Sequence, residues 1–164
     1  MSREEFKELF DSNFDSVRSY IYYRCGDKEL ATDIAQEAFM KVWEKNIDAA
    51  QGNIKGLIYK IASDLFVSFY RRKDVEKRFS RSIEIDLVEG SPEEALEYQE
   101  IKEKYHLALM EMNENQRIVF LMSRVEELKY GEIAERLNIG VKAVEKRMSL
   151  ALKYLRLSLG VTNR

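Results

Sequence analysis

The sequence predicts an all-α protein of two small helical domains, the second carrying a helix-turn-helix, joined by a flexible linker. Three observations predict it. Apolar residues recur at helical spacing over most of the 164 residues. Seven Gly and one Pro are too few for the tight turns of an all-β chain. The periodicity lapses over residues 74 to 90, where charged residues, two Ser and Gly90 read as a linker. The boundaries that follow are 1–75, 76–92 and 93–164.

Phe6, Phe10, Phe14, Val17 and Ile21 mark the first helix. Gly26 ends it, and Asp27 can cap the next. Ile34, Ala35, Ala38, Phe39, Val42 and Trp43 form the second apolar stripe, and Gln51-Gly52-Asn53 is a turn. A third helix, Ile54 to about Tyr70, carries Leu57, Ile58, Ile61, Ala62, Leu65 and Phe69 and ends in Arg71-Arg72-Lys73. In the second half, Ser91 reads as a helix cap, Pro92 suits the first helical position, and Glu94 closes a capping box. That helix reaches about Met112. Asn113 to Gln116 repeats the pattern and starts a helix from Gln116 to Glu127. Two short helices follow, parted near Asn138-Ile139-Gly140.

Composition excludes several chemistries. One Cys and one His cannot build a zinc site, an internal disulfide or the paired Glu-x-x-His motifs of a dimetal bundle. Cys25 reads as a small buried hydrophobe and His106 as structural or solvated. There is no phosphate-cradling glycine loop and no catalytic set, and no cofactor is implied. The charged start argues against a signal peptide, and no long apolar run would insert into a membrane, so a reducing cytoplasm is the expected location.

Twenty-seven basic and 29 acidic residues leave a net charge of −2, which excludes a uniformly basic nucleic-acid binder. The charge is segregated, however. Phe69 to Arg81 has six basic and two acidic residues, Arg136 to Arg164 seven and one, and Glu93 to Lys104 two and five. Two basic poles flank an acidic stretch.

The second pole coincides with a helix-turn-helix over Tyr130 to Met148. Ile133, Leu137, Ile139 and Val144 would fix two helices in a tight crossing, with Ala134 where only a small side chain fits. Asn138 suits a turn position needing left-handed backbone. Lys129 and Gly140 stand where hydroxyl caps would be preferred. On the second helix Lys142, Glu145, Lys146, Ser149 and Leu150 would face base edges in a major groove, while Arg147, Lys153 and Arg156 suit phosphates. A plain helical hairpin with a solvated basic face is the alternative reading of these residues.

Asn113 to Ile139, continued by Val141 to Arg156, resembles region four of bacterial RNA polymerase sigma factors. Ala31 to Trp43 resembles the polymerase-binding part of region two, and Ile54 to Arg72 its promoter-melting helix. The order of these segments, with a tether between them, resembles the extracytoplasmic-function group. The resemblance implies docking on core RNA polymerase through Asp33, Gln36, Glu37, Phe39, Lys41 and Trp43. Phe39 and Trp43 also belong to a periodic stripe that core packing would claim. It implies −10 recognition and melting through Tyr59, Lys60, Ser63, Asp64, Ser68, Phe69, Arg71, Arg72 and Lys73. These residues have the types a flipped base and a single strand require, aromatic faces beside a basic track. Phe66 is open between this role and the core, as is Phe69. It implies −35 recognition through Lys142, Glu145, Lys146, Arg147, Ser149, Leu150 and Lys153, and an anti-sigma factor as a further partner. Leu57, Asp64 and Ser68 stand where the family has Trp, Asn and Asp, which leaves the −10 base preference open.

The rival is a helix-turn-helix regulator acting without replacing a sigma subunit. Near-zero net charge predicts weak DNA binding by the free protein. A closed form, held by the acidic stretch 93–104 against the basic poles, is a further expectation.

Overall fold

The computed structural model describes residues 1–48, 50, 52–73 and 92–161, the side chains of residues 70–73 and 92–95 aside. Among the described residues are seven helices and no strand. They are α1 (Arg3–Cys25), α2 (Lys28–Glu44), α3 (Ile54–Lys73), α4 (Pro92–Glu111), α5 (Glu114–Arg124), α6 (Tyr130–Leu137) and α7 (Val141–Ser158).

Local signals set the ends of the first three. Ser2 and Glu5 form a reciprocal capping box on α1, and Gly26 closes it with φ 69°, a conformation that costs glycine little. The Asp27 carboxylate accepts from the Leu30 N–H at 3.0 Å and starts α2. Asn53 accepts from the Gly56 N–H at 2.9 Å and starts α3. Ala31, Ala35 and Ala38, all buried, let α2 lie close on its neighbours. Phe39 sits in an aromatic cluster, its ring 5.1 Å from Phe10 and 6.5 Å from Phe6. Such edge contacts add to the burial of the rings themselves.

In the second half α4, α5 and α6 pack on α7. Ile118, Val119, Phe120, Leu121 and Met122 of α5 supply much of that core. Several expectations about element ends need correction. α3 continues to Lys73, and α5 spans Glu114–Arg124. The Asn113 side chain accepts from the Asn115 N–H at 3.0 Å, a tighter turn than the expected box. α7 is not short: it has 18 residues, because the stripe Val144, Met148, Ala151, Leu155 keeps helical period to its end. The linker and the Ser91 cap lie outside the described residues.

The two halves pack together, α1 on α5 and α3 on α6. Arg117, 6% exposed, joins them. From α5 its Nε donates to the Tyr23 carbonyl at 2.8 Å and Nη2 to the Arg24 carbonyl at 3.1 Å. Nη1 donates to the carbonyls of Leu109 and Met112 at 3.2 Å. One cation thus satisfies orphan carbonyls at the C-terminal ends of α1 and α4, where helix dipoles favour positive charge. The described acids of the 93–104 stretch, Glu97, Glu100 and Glu103, are exposed to solvent. Among the described residues, the contact between the halves does not run through these three acids. No helix among the described residues is long and apolar enough to cross a membrane.

Candidate nucleic-acid interface

The helix-turn-helix forms as its residues require. Asn138 ends α6 at φ 53°, ψ 47°, a left-handed conformation that Asn tolerates. The next N–H, of Ile139, donates to the Ala134 carbonyl at 3.0 Å. Ile133 and Ala134 are buried at the crossing. Lys129 and Gly140 make no side-chain cap.

α7 buries Val144, Met148, Ala151 and Leu155 and turns the opposite side outward. Lys142, Glu145, Lys146, Ser149, Leu150 and Lys153 are exposed, and Arg147 is half-buried. Leu150 stands 42% exposed among charged neighbours, an apolar contact with no packing role visible in the core. The first turn of α7 carries no acid. This face has the donors and the apolar contact that major-groove reading uses.

The α3 residues are placed less uniformly. Lys60 and Asp64 are exposed and pair at 3.0 Å, an ion pair of little energetic weight at such exposure. Ser68 is exposed and Phe69 half-buried. Ser63 is half-buried and accepts from Arg24 Nη1 at 2.8 Å. Tyr59 and Phe66 are each 3% exposed. Phe66 lies under the Arg24 guanidinium, 4.5 Å from the ring centre. Tyr59 packs on Tyr20, and burial raises its phenol pKa well above the usual range. Arg71, Arg72 and Lys73 continue the helix, with side chains outside the described set. Ile61 and Leu65, which periodicity assigns to the core, are partly buried against it.

On α2, Asp33, Gln36 and Glu37 are exposed and Lys41 is half-buried. Phe39 is 1% exposed and belongs to the core, whereas Trp43 is 44% exposed with its ring 5.0 Å from Phe6. Of the two aromatics, only Trp43 offers a contact surface.

Sequence reasoning missed the polar residues between the halves. Tyr23 donates from its hydroxyl to Glu126 at 3.1 Å, and Arg136 donates to the same carboxylate at 3.0 Å. Burial raises the Glu126 pKa, against the opposing pull of Tyr23 and Arg136. Arg24 pairs with Glu114, and Asn53 Nδ2 donates to the Glu135 carbonyl at 2.8 Å. Arg117 alone had a signal: a charge inside the apolar run of α5.

A three-helix unit and a four-helix unit, the second carrying a helix-turn-helix with an exposed basic face, have the architecture of a DNA-binding protein. Comparison with known proteins narrows the class. Residues 9–75 match the family Sigma-70 region 2, and residues 102–155 match Sigma-70, region 4. The ferric citrate uptake sigma factor FecI of Escherichia coli is 26% identical over 152 residues, covering 91% of this chain and 87% of FecI. The ECF RNA polymerase sigma factor SigW of Bacillus subtilis is 28% identical over 168 residues, covering 94% and 88%. The sigma factor RpoE of Bartonella quintana, solved with the anti-sigma factor NepR, shares the fold. Its TM-score is 0.58 at 18% identity, covering 98% of this chain and 99% of RpoE. The chain belongs to the sigma-70 family, as a sigma factor of the extracytoplasmic-function group. It is a promoter-recognising factor of transcription initiation that works with core RNA polymerase.

Proposed function

We propose that three surfaces of this chain divide the work of initiation. The exposed face of α7 reads the −35 element: Lys142, Glu145, Lys146, Ser149 and Leu150 toward base edges, Arg147 and Lys153 toward phosphates. The α3 helix and its end hold the opened −10 strand, through Tyr59, Lys60, Ser63, Asp64, Ser68, Phe69, Arg71, Arg72 and Lys73. Asp33, Gln36, Glu37, Lys41 and Trp43 dock on core polymerase, with Phe6 packed against both Trp43 and the buried Phe39. The functional units are residues 1–75 and 93–164, with 76–92 as tether. Tethering makes the second promoter contact intramolecular, so two weak readers give a strong one. The protein acts in the cytoplasm, without catalysis or a cofactor of its own, and an anti-sigma factor is its expected protein partner.

The observation that carries this reading is the exposed face of α7, where Lys142, Lys146 and Leu150 stand clear of the core. Run-off transcription on a promoter library, with purified core polymerase and with or without this protein, tests it. New promoter-specific transcripts are expected, and their loss in the Lys146→Ala and Leu150→Ala variants. Duplex binding without any initiation would instead favour a regulator that leaves the resident sigma subunit in place.

A further inference from the structure

A crevice of about 280 Å³ lies where α3 meets α6. Tyr20 of α1 and Tyr59, Lys60, Ser63 and Asp64 of α3 form one wall, and Arg136 of α6 faces them. The polar groups are graded by burial. Tyr59 is 3% exposed, Ser63 and Arg136 are half-buried, and Lys60 and Asp64 are exposed at the rim. Pockets for drug-sized molecules begin at ~300 Å³, so this crevice suits a smaller ligand.

The most buried of these groups is unsatisfied. Among the described residues the Tyr59 hydroxyl, shut off from solvent, has no hydrogen-bond partner. Arg136 and Ser16 lie near enough to influence it, yet neither is placed to complete a bond. Leaving a buried hydroxyl unpaired is costly, and such a group in a native fold calls for an explanation. Burial raises the phenol pKa well above its usual range, so the oxygen keeps its proton and has it to donate. Among the described residues Arg136 uses only Nη1, on Glu126 at 3.0 Å, of a guanidinium that carries five N–H groups. A neutral hydroxyl donor and a guanidinium on one crevice, with the Lys60 ammonium at its rim, suit the oxygens of a phosphoryl group. Asp64, paired with Lys60 at 3.0 Å, repels such a group and accepts from hydroxyl or amino donors instead. Together these groups describe a phosphate joined to a remainder that carries hydroxyl or amino hydrogens.

We propose that the α3–α6 crevice is a binding site for a small phosphomonoester, a mononucleotide at the largest, its phosphoryl oxygens on Tyr59 and Arg136 and its remainder toward Asp64. The site shares its α3 residues with the −10 surface, but Arg136 belongs to no promoter-reading surface. A phosphomonoester offers three terminal oxygens to the two donors. The phosphodiester of a strand offers two and carries chain on both sides.

Titration of the full chain with adenosine 5′-monophosphate, and separately with inorganic phosphate, tests the site. Calorimetry gives the affinity, and the NMR signal of the Arg136 Nε–H reports the place. Saturable binding that shifts this signal is expected with both, tighter for the nucleotide. Tyr59→Phe keeps the ring and removes the hydroxyl, and should weaken both ligands about ten-fold or more. The free variant should melt no lower than wild type, since it buries no unpaired hydroxyl. Asp64→Asn, a change at an exposed position, should tighten inorganic phosphate by removing a nearby negative charge. A single-stranded oligothymidylate without terminal phosphates should displace the nucleotide poorly. The proposal is overturned by no saturable shift of Arg136 at millimolar ligand, or by equal affinity in Tyr59→Phe. Displacement by the oligothymidylate as effective as by free nucleotide would assign the crevice to the strand and overturn it as well.

Discussion

Replacing Arg117 by Met should separate the cost of holding the second half together from the cost of joining the halves. The guanidinium donates to four carbonyls within 3.2 Å: Tyr23 and Arg24 on α1, Leu109 and Met112 at the end of α4. Met keeps most of the aliphatic volume and donates nothing. Each bond to a charged donor is worth about 1.5–3 kcal/mol net. The α1 carbonyls can take water once α5 moves away, so their loss weakens the union of the halves and leaves α1 folded. Leu109 itself is 0% exposed and Met112 3%, so the α4 carbonyls lack that recourse. Part of the loss is returned because no guanidinium need be desolvated. A net destabilisation of about 3 kcal/mol in the second half follows. For a unit of this size that lowers its melting temperature by about 15 °C. Calorimetry of the full chain should give a low transition for the second half and a nearly unmoved one for the first. Arg117→Lys should recover little, since a single ammonium cannot fork across two helix ends. A fall below about 4 °C would show that these bonds are replaced by water at little cost.

Two further outcomes follow from single positions. Asn138→Ala should cost about 1 kcal/mol in urea unfolding, because Ala is disfavoured at φ 53°, and Asn138→Gly should be nearly neutral; equal effects would refute the backbone argument. Burial raises the Glu126 pKa, so the folded chain binds that proton more tightly than the unfolded one. The stability this supplies is complete below the ordinary value of 4.5 and is lost as pH rises through the folded value. Wild type should therefore lose stability relative to Glu126→Gln as pH is raised above 4.5. A flat difference between the two unfolding curves, or one of opposite slope, would contradict the burial argument.

The helices were legible in the sequence wherever one face alone is buried. The stripes of α1, α2 and α7 name most of their core residues, Trp43 standing exposed and Phe6, Phe10 and Phe14 only partly buried, and Gly26, Asp27 and Asn138 act as their types suggest. Periodicity did less well where a helix is covered on two sides. α3 buries Ile58 and Ala62 toward its own bundle, and Tyr59 near α6 as well, so its stripe could not say which aromatics remain free. Phe39 illustrates the same limit in α2: its spacing fits the core and a contact surface equally, and only packing against Phe6, Phe10 and Phe14 decides. The polar residues between the halves left almost no trace. Tyr23 and Glu126 are 103 positions apart, and no local pattern links residues so distant.

Charge counting pointed to an acidic stretch and two basic poles, most of the first pole lying outside the described residues; the described acids Glu97, Glu100 and Glu103 are exposed, and attraction between exposed charges is screened within about 10 Å at moderate salt. What joins the halves is short-range: a buried guanidinium on helix carbonyls, a shared carboxylate, and a glycine that lets two backbones approach. Short-range contacts are specific to one arrangement, and in this one Tyr59 is buried beside α6 while the outward side of α7 stays exposed.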